Sequence, residues 1–106
     1  VNKRLAFLEQ TTRSGSADSF AWYALGLEYR KEGRVDDALS AFRSLRERDP
    51  DYLPVYLMAG QTLFEAERAV DAKEWLQAGI ALAGRNGDGK ALGELESLLS
   101  EVGGGR

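Results

Sequence analysis

The segment of this 106-residue chain best placed to do chemistry is Gly84-Arg-Asn-Gly-Asp-Gly89-Lys90-Ala91, which fits the G-x-x-x-x-G-K spacing of a phosphate-cradling loop. Such a loop follows a strand, wraps the phosphates with backbone N–H groups and ligates Mg²⁺ through a Ser or Thr after the lysine. Here Ala91 takes the place of that hydroxyl, and the preceding run from Trp75 to Ala83 has helical periodicity. The segment is therefore expected to be a glycine-rich turn between helices, with Asp88 capping the last one. Asn86 and Asp88 lack the ladder of oxygen ligands that a calcium loop needs. Asp36-Asp37 and Glu65/Glu67 are close in sequence, but residues one or two apart on a helix do not face each other. They are expected to be solvated surface.

Composition narrows the chemistry further. The chain has no His and no Cys, which removes disulfides, thiolate and imidazole metal sites and the usual proton shuttle near neutral pH. The expectation is a protein that is not an enzyme, with no catalytic residues, no metal and no cofactor. Residues 1–17 carry +2 (Lys3, Arg4 and Arg13 against Glu9), residues 18–51 carry −2 and residues 52–106 carry −3. That gradient holds no basic footprint, so nucleic acid is not an expected partner. No apolar run approaches the ~20 residues that span a bilayer, so no membrane partner is expected either. The opening Val-Asn-Lys-Arg-Leu lacks the apolar run of a secretory signal, which leaves the cytoplasm as the default location.

Positioning elements emerge when the sequence is laid over itself. At a shift of 34 residues Trp22 falls on Tyr56, Gly26 on Gly60, Tyr29 on Leu63, Arg34 on Arg68, Ala38 on Ala72 and Phe42 on Leu76. Trp22, Leu25, Gly26 and Tyr29 recur at i, i+3, i+4 and i+7, the stripe of one helix face. Leu39, Phe42, Leu45 and Arg46 form a second stripe beyond Gly33-Arg34. Gly33 reads as the stop of the first helix and Asp49-Pro50-Asp51 as the end of the second, with Pro54 in the first turn of the next. The recurring helical glycines Gly26 and Gly60 each cost about 1 kcal/mol relative to Ala, so close helix approach is expected there, the space filled by an aromatic ring three or four residues away.

Trp22-x2-Leu25-Gly26-x2-Tyr29, then Ala38-x3-Phe42, then Pro50, resembles the signature of the tetratricopeptide repeat family. Tyr56-x2-Ala59-Gly60-x2-Leu63 and Ala72-x3-Leu76 follow in register, so the resemblance covers residues 19–52 and 53–86. A period of 34 and a pI near 5.0 set it apart from the basic, 35-residue RNA-binding repeats. The resemblance implies an all-α, right-handed helical-hairpin solenoid forming one domain over residues 1–106. Its flanks add a leading half-repeat helix (3–13, with Leu5 and Leu8 one period before Leu39 and Phe42) and a capping helix (90–102). That makes six expected helices, and a self-sufficient unit is the expectation. Ser16 or Asp18 is the expected N-cap of the first repeat, and residues 103–106 are an expected loose tail. Trp22, Tyr29, Phe42 and Tyr56 are expected in the core, and Trp75, one residue before Leu76, partly exposed.

In this family the first helix of each pair lines a concave groove. Carried onto this chain, the groove face offers Phe20, Tyr23, Leu27, Arg30 and Lys31 from the first repeat, and Leu57, Gln61, Phe64 and Glu65 from the second. The lysines and asparagines with which some members hold a terminal carboxylate are replaced here by Tyr23, Leu27, Leu57 and Gln61. The expected partner is an apolar or amphipathic peptide segment of another protein, with an acidic group near Arg30 and Lys31. A second copy of this chain, docked through the same apolar face as a homodimer, is the competing expectation.

Overall fold

The computed structural model describes residues 1–15 and 17–104. Those residues form six α-helices and no strand: α1 (Lys3–Arg13), α2 (Ser19–Lys31), α3 (Val35–Arg48), α4 (Pro54–Glu65), α5 (Ala69–Asn86) and α6 (Gly89–Gly104). Ser16 and the last two positions of the expected tail, Gly105 and Arg106, lie outside the described residues. The chain separates into two compact units, Val1–Tyr52 and Leu53–Arg106, divided where the sequence repeat turns over.

In the first unit α2 packs against α1 on one side and α3 on the other. Asp18 is the N-cap of α2, its carboxylate accepting from the Ala21 N–H. Leu5, Leu8, Ala24, Leu25 and Ala41 form a buried cluster, with Trp22 and Tyr29 packed on it and only partly buried. Phe42 is wholly buried. A methyl group at Gly26 would overlap its ring. The ring that fills the glycine's space therefore comes from the facing helix α3 and not from the glycine's own helix. Asn2 fastens the start of this unit. Its Oδ1 accepts from the Leu5 N–H at 2.9 Å, while its Nδ2 donates to Glu28 Oε2 at 2.9 Å and Glu32 Oε2 at 2.8 Å. Arg4 adds an ion pair to Glu28 at 3.2 Å.

The second unit repeats the hairpin in α4 and α5 and closes it with α6. Pro54 occupies the first turn of α4, where its missing N–H has no helical partner to lose. Gly60 meets Leu76 as Gly26 meets Phe42: an added Cβ would lie 2.5 Å from Leu76 Cδ2. Trp75 is only 6% exposed, against the expectation, because the Tyr56 ring packs against it at a tilt with centroids 5.8 Å apart. The turn after α5 is shorter than the sequence suggests. Gly84 and Asn86 remain helical, Gly87 ends the helix at a φ of 67°, and Asp88 caps α6 by accepting from the Ala91 N–H at 3.0 Å. A helix-to-helix turn of this kind is no phosphate loop, which needs a strand before it. At the far end α6 runs through Gly103 and Gly104, where the sequence suggests the loose tail begins.

Candidate peptide-binding faces

Each unit carries part of the expected face on its repeat's first helix. On α2, Phe20, Tyr23, Leu27 and Arg30 follow one another at helical spacings, with Lys31 at the edge. Phe20 is 63% exposed and Lys31 is exposed, while Tyr23, Leu27 and Arg30 are half-buried. Tyr23 is already engaged: its ring lies 5.4 Å from that of Tyr52 and 6.3 Å from that of Phe42. Burial pushes the Tyr23 hydroxyl above its ordinary pKa, Tyr52 adds to the shift and the Arg30 charge opposes it. Tyr52 is shifted the same way by burial and by the carboxylates of Asp18 and Asp49. Asp49 also accepts from the Ser19 hydroxyl at 2.6 Å, which ties the end of α3 to the start of α2. The inner part of this face is thus a fixed aromatic platform, and Phe20 stands free on its rim.

On α4, Leu57 and Gln61 line a shallow depression of about 600 Å³ whose other wall is α6. Phe64 is half-buried and lies outside that lining, and Glu65 is exposed beside Gln61, with Gln61 Nε2 donating to its carboxylate at 3.4 Å. The α6 wall consists of Gly89, Gly93, Ser97 and Leu98, flanked by the Lys90–Glu94 ion pair at 3.2 Å and by Glu101. A Cβ added at Gly93 would meet nothing within 4 Å. The sequence expectation left this wall out. The 34-residue shift could have found it, since Leu57, Gln61 and Phe64 fall on Ala91, Leu95 and Leu98, although the aromatic and glycine signature has faded there.

No cluster of three or more potential metal-ligating side chains occurs among the described residues. No described helix is long and apolar enough to cross a membrane. The carboxylates of Asp36 and Asp37 are exposed at the start of α3, where negative charge suits the helix dipole, and Asp37 accepts from Arg34 Nε at 2.8 Å.

A repeated helical hairpin of this kind, carrying a small residue at the crossing and an apolar face on each first helix, defines a helical-repeat protein. The tetratricopeptide repeat family model matches residues 29–95, and the chain belongs to that family. Its members generally serve as protein–protein interaction modules. Among solved structures, the chain is 34% identical to a tetratricopeptide repeat domain protein from Salinibacter ruber, with a TM-score of 0.77. That match to the crystal structure covers 84% of this chain and 100% of the other. The solution structure of the same domain matches with the same identity and score over 82% and 88% of the two chains. A Bordetella parapertussis protein is 24% identical with a TM-score of 0.81, covering 97% of this chain and 90% of its own, and shares the fold. None of the curated proteins compared with the chain matches it.

Proposed function

We propose that this protein is a non-catalytic scaffold that holds a peptide segment of another protein against the first-helix faces of its repeats, with the depression beside α4 as the principal seat. The observation that carries this reading is Gly93. A glycine in mid-helix costs about 1 kcal/mol relative to Ala. Gly26, Gly60 and Gly79 repay that loss through close packing, but a Cβ at Gly93 would touch nothing in this protein. Its bare backbone, with Leu57 and Leu98 for apolar contact and Gln61 and Ser97 for polar contact, suits a chain laid closely against α6.

The test begins with peptides selected from a displayed library against the unmodified protein, their affinities then measured by calorimetry. Gly93→Leu projects a side chain from an open position into the depression and is expected to weaken binding at least about tenfold, which is about 1.4 kcal/mol, with the helical content retained. Leu57→Ala is expected to weaken it in the same direction. Unchanged affinity in both variants would remove the depression from consideration. A concentration-dependent dimer in light scattering that Gly93→Leu dissolves would show a second copy to be the occupant.

A further inference from the structure

The two helices that wall the depression beside α4 carry matching stripes. Along α4 run Leu57, Gln61 and Glu65 at i, i+4 and i+8, and along α6 run Gly93, Ser97 and Glu101 at the same spacing. Each stripe passes from an apolar or bare position through a neutral polar one to a carboxylate. The helices point the same way, because each joins α5 through a short turn and packs antiparallel to it. Tyr56 and Leu95 fix their relative height: a Cβ at Gly79 would lie 2.6 Å from Tyr56 Cβ and 3.0 Å from Leu95 Cδ2. At the helical rise, Lys90 lies about 8 Å from that level toward the helix starts, and Glu101 about 9 Å toward their ends.

The charges of the depression are therefore sorted along its length. At the end where the helices start, Lys90 is paired with Glu94 at 3.2 Å, and the two charges cancel. At the other end stands Glu101 of the lining, with the exposed Glu65 beyond it. Gln61 donates to Glu65, but an amide is neutral and leaves the carboxylate its charge. Neither helix has a basic residue in its described last turn. Even with Glu65 set against Arg68 across the turn to α5, Glu101 remains as a net negative charge. The end of α4 turns the negative pole of its helix dipole to the same side.

We propose that the peptide seated beside α4 is an extended segment carrying a basic residue, Lys or Arg, two positions from a large apolar one. The apolar side chain packs on Leu57 and Leu98, and the cation meets Glu101. Leu57 lies about 7 Å short of Glu101 along the helices, which is the span of two residues of an extended chain whose side chains share a face. This charge is the reverse of the acidic group expected of a partner at Arg30 and Lys31. The assignment rests on the depression being the seat, and adds to it the charge and spacing of the occupant.

The probe is a displayed library of short segments with Leu fixed at the centre and every other position random. Selection on the unmodified protein is expected to enrich Lys or Arg two positions from that Leu. The tightest peptide is then synthesised with Arg or with Glu at that place, and both forms are titrated by calorimetry. The Arg form is expected to bind at least about fivefold tighter, the effect of gaining one partly screened ion pair and avoiding one repulsion. Glu101→Lys is expected to reverse the order of the two forms. Glu96→Lys makes the same change of net charge at an exposed position of α6 outside the lining, and is expected to preserve the order. No basic enrichment, equal affinity of the two forms, or the same response to both variants would each overturn the proposal. If Gly93→Leu still weakens binding in those cases, the seat itself stands. Peptides indifferent to Gly93→Leu would remove the seat, and the proposal with it. A second copy occupying the depression, seen as a dimer by light scattering, would do the same.

Discussion

Glu67 stands one period after Gly33 and adopts the same left-handed backbone, with a φ of 62° against 77°. The hydrogen bonds around the two residues match as well. The Arg34 N–H donates to the Tyr29 carbonyl and the Arg68 N–H to the Leu63 carbonyl, both at 2.9 Å. Gly33 and Glu67 themselves donate to Arg30 and Phe64, both at 3.0 Å. The turn between the helices of the hairpin thus demands one conformation in both repeats, and only the first repeat supplies the residue that adopts it without a Cβ penalty.

Replacing Glu67 with Gly is therefore expected to stabilise the protein by about 1 kcal/mol, because the left-handed strain exceeds the added freedom of the unfolded chain. Gly33→Ala is expected to destabilise it by a similar amount. Urea unfolding followed by circular dichroism measures both, and a midpoint that falls in Glu67→Gly would refute the assignment.

The helical glycines separate in the opposite sense. Gly93→Ala gains about 1 kcal/mol of helix propensity and meets nothing within 4 Å, so a higher unfolding midpoint is expected. Gly26→Ala gains the same propensity but drives a methyl group into Phe42, which is wholly buried and has nowhere to move. Overpacking of this kind costs about 1–3 kcal/mol, so the variant is expected to lose up to about 2 kcal/mol net. Gly60→Ala, against Leu76, follows Gly26→Ala with a smaller loss, since a leucine shifts rotamer more readily than a ring. Thermal unfolding of the three variants side by side gives the order.

How far the sequence discloses the protein depends on whether a residue acts within its own period. Trp22, Gly26 and Phe42 lie in one hairpin, and the 34-residue overlay places them directly. Trp75 defeats that logic because its place holds Ala41 in one repeat and Phe7 in the flank, so the pattern alone does not fix its burial. Only the approach of Tyr56 does. Asn2 was invisible for a related reason: it joins residues 26 and 30 positions away, and no local periodicity registers such a bond. On the candidate faces, Phe20, Leu57 and Gln61 could be named from helix phase. The commitment of the Tyr23 ring to Tyr52 and the glycine wall of α6 needed the packing.

Glu28 makes acid stability a test of the clasp between α1 and α2. The hydrogen bond from Asn2 holds its carboxyl below the usual pKa against the opposing effect of burial, and the charges of Lys31 and Arg4 help. A carboxyl depressed in the folded state contributes stability that is present above its unfolded pKa and lost as the pH falls through the folded value. The unmodified protein is expected to lose melting temperature as the pH drops below the ordinary glutamate value of 4.5. Glu28→Gln is expected to start lower at pH 7 and to show a flatter profile. Parallel profiles for the two proteins would mean that Glu28 contributes nothing.

At the alkaline end the deciding pair is Tyr29 and Glu9. The Tyr29 hydroxyl donates to Glu9 Oε2 at 2.6 Å, joining α2 to α1, and the Arg34 guanidinium sits 4.6 Å from the centre of its ring. Burial, then the hydrogen bond to Glu9 and the charge of that carboxylate, push the phenol up from 10.0 to about 12, against the pull of Arg34. Because the folded state favours the neutral phenol, its contribution is complete below pH 10.0 and is lost as the pH rises through about 12. Tyr29→Phe removes both the bond and the titration. It is expected to be less stable at pH 8 by about 1 kcal/mol, the usual net worth of one hydrogen bond, and to converge on the unmodified protein near the upper end of that window. The phenolate absorbance of Tyr29, isolated as the difference between the two proteins in an alkaline titration, should emerge with a midpoint of about 12. A midpoint near 10 would show that Glu9 and Tyr29 are not bonded in solution.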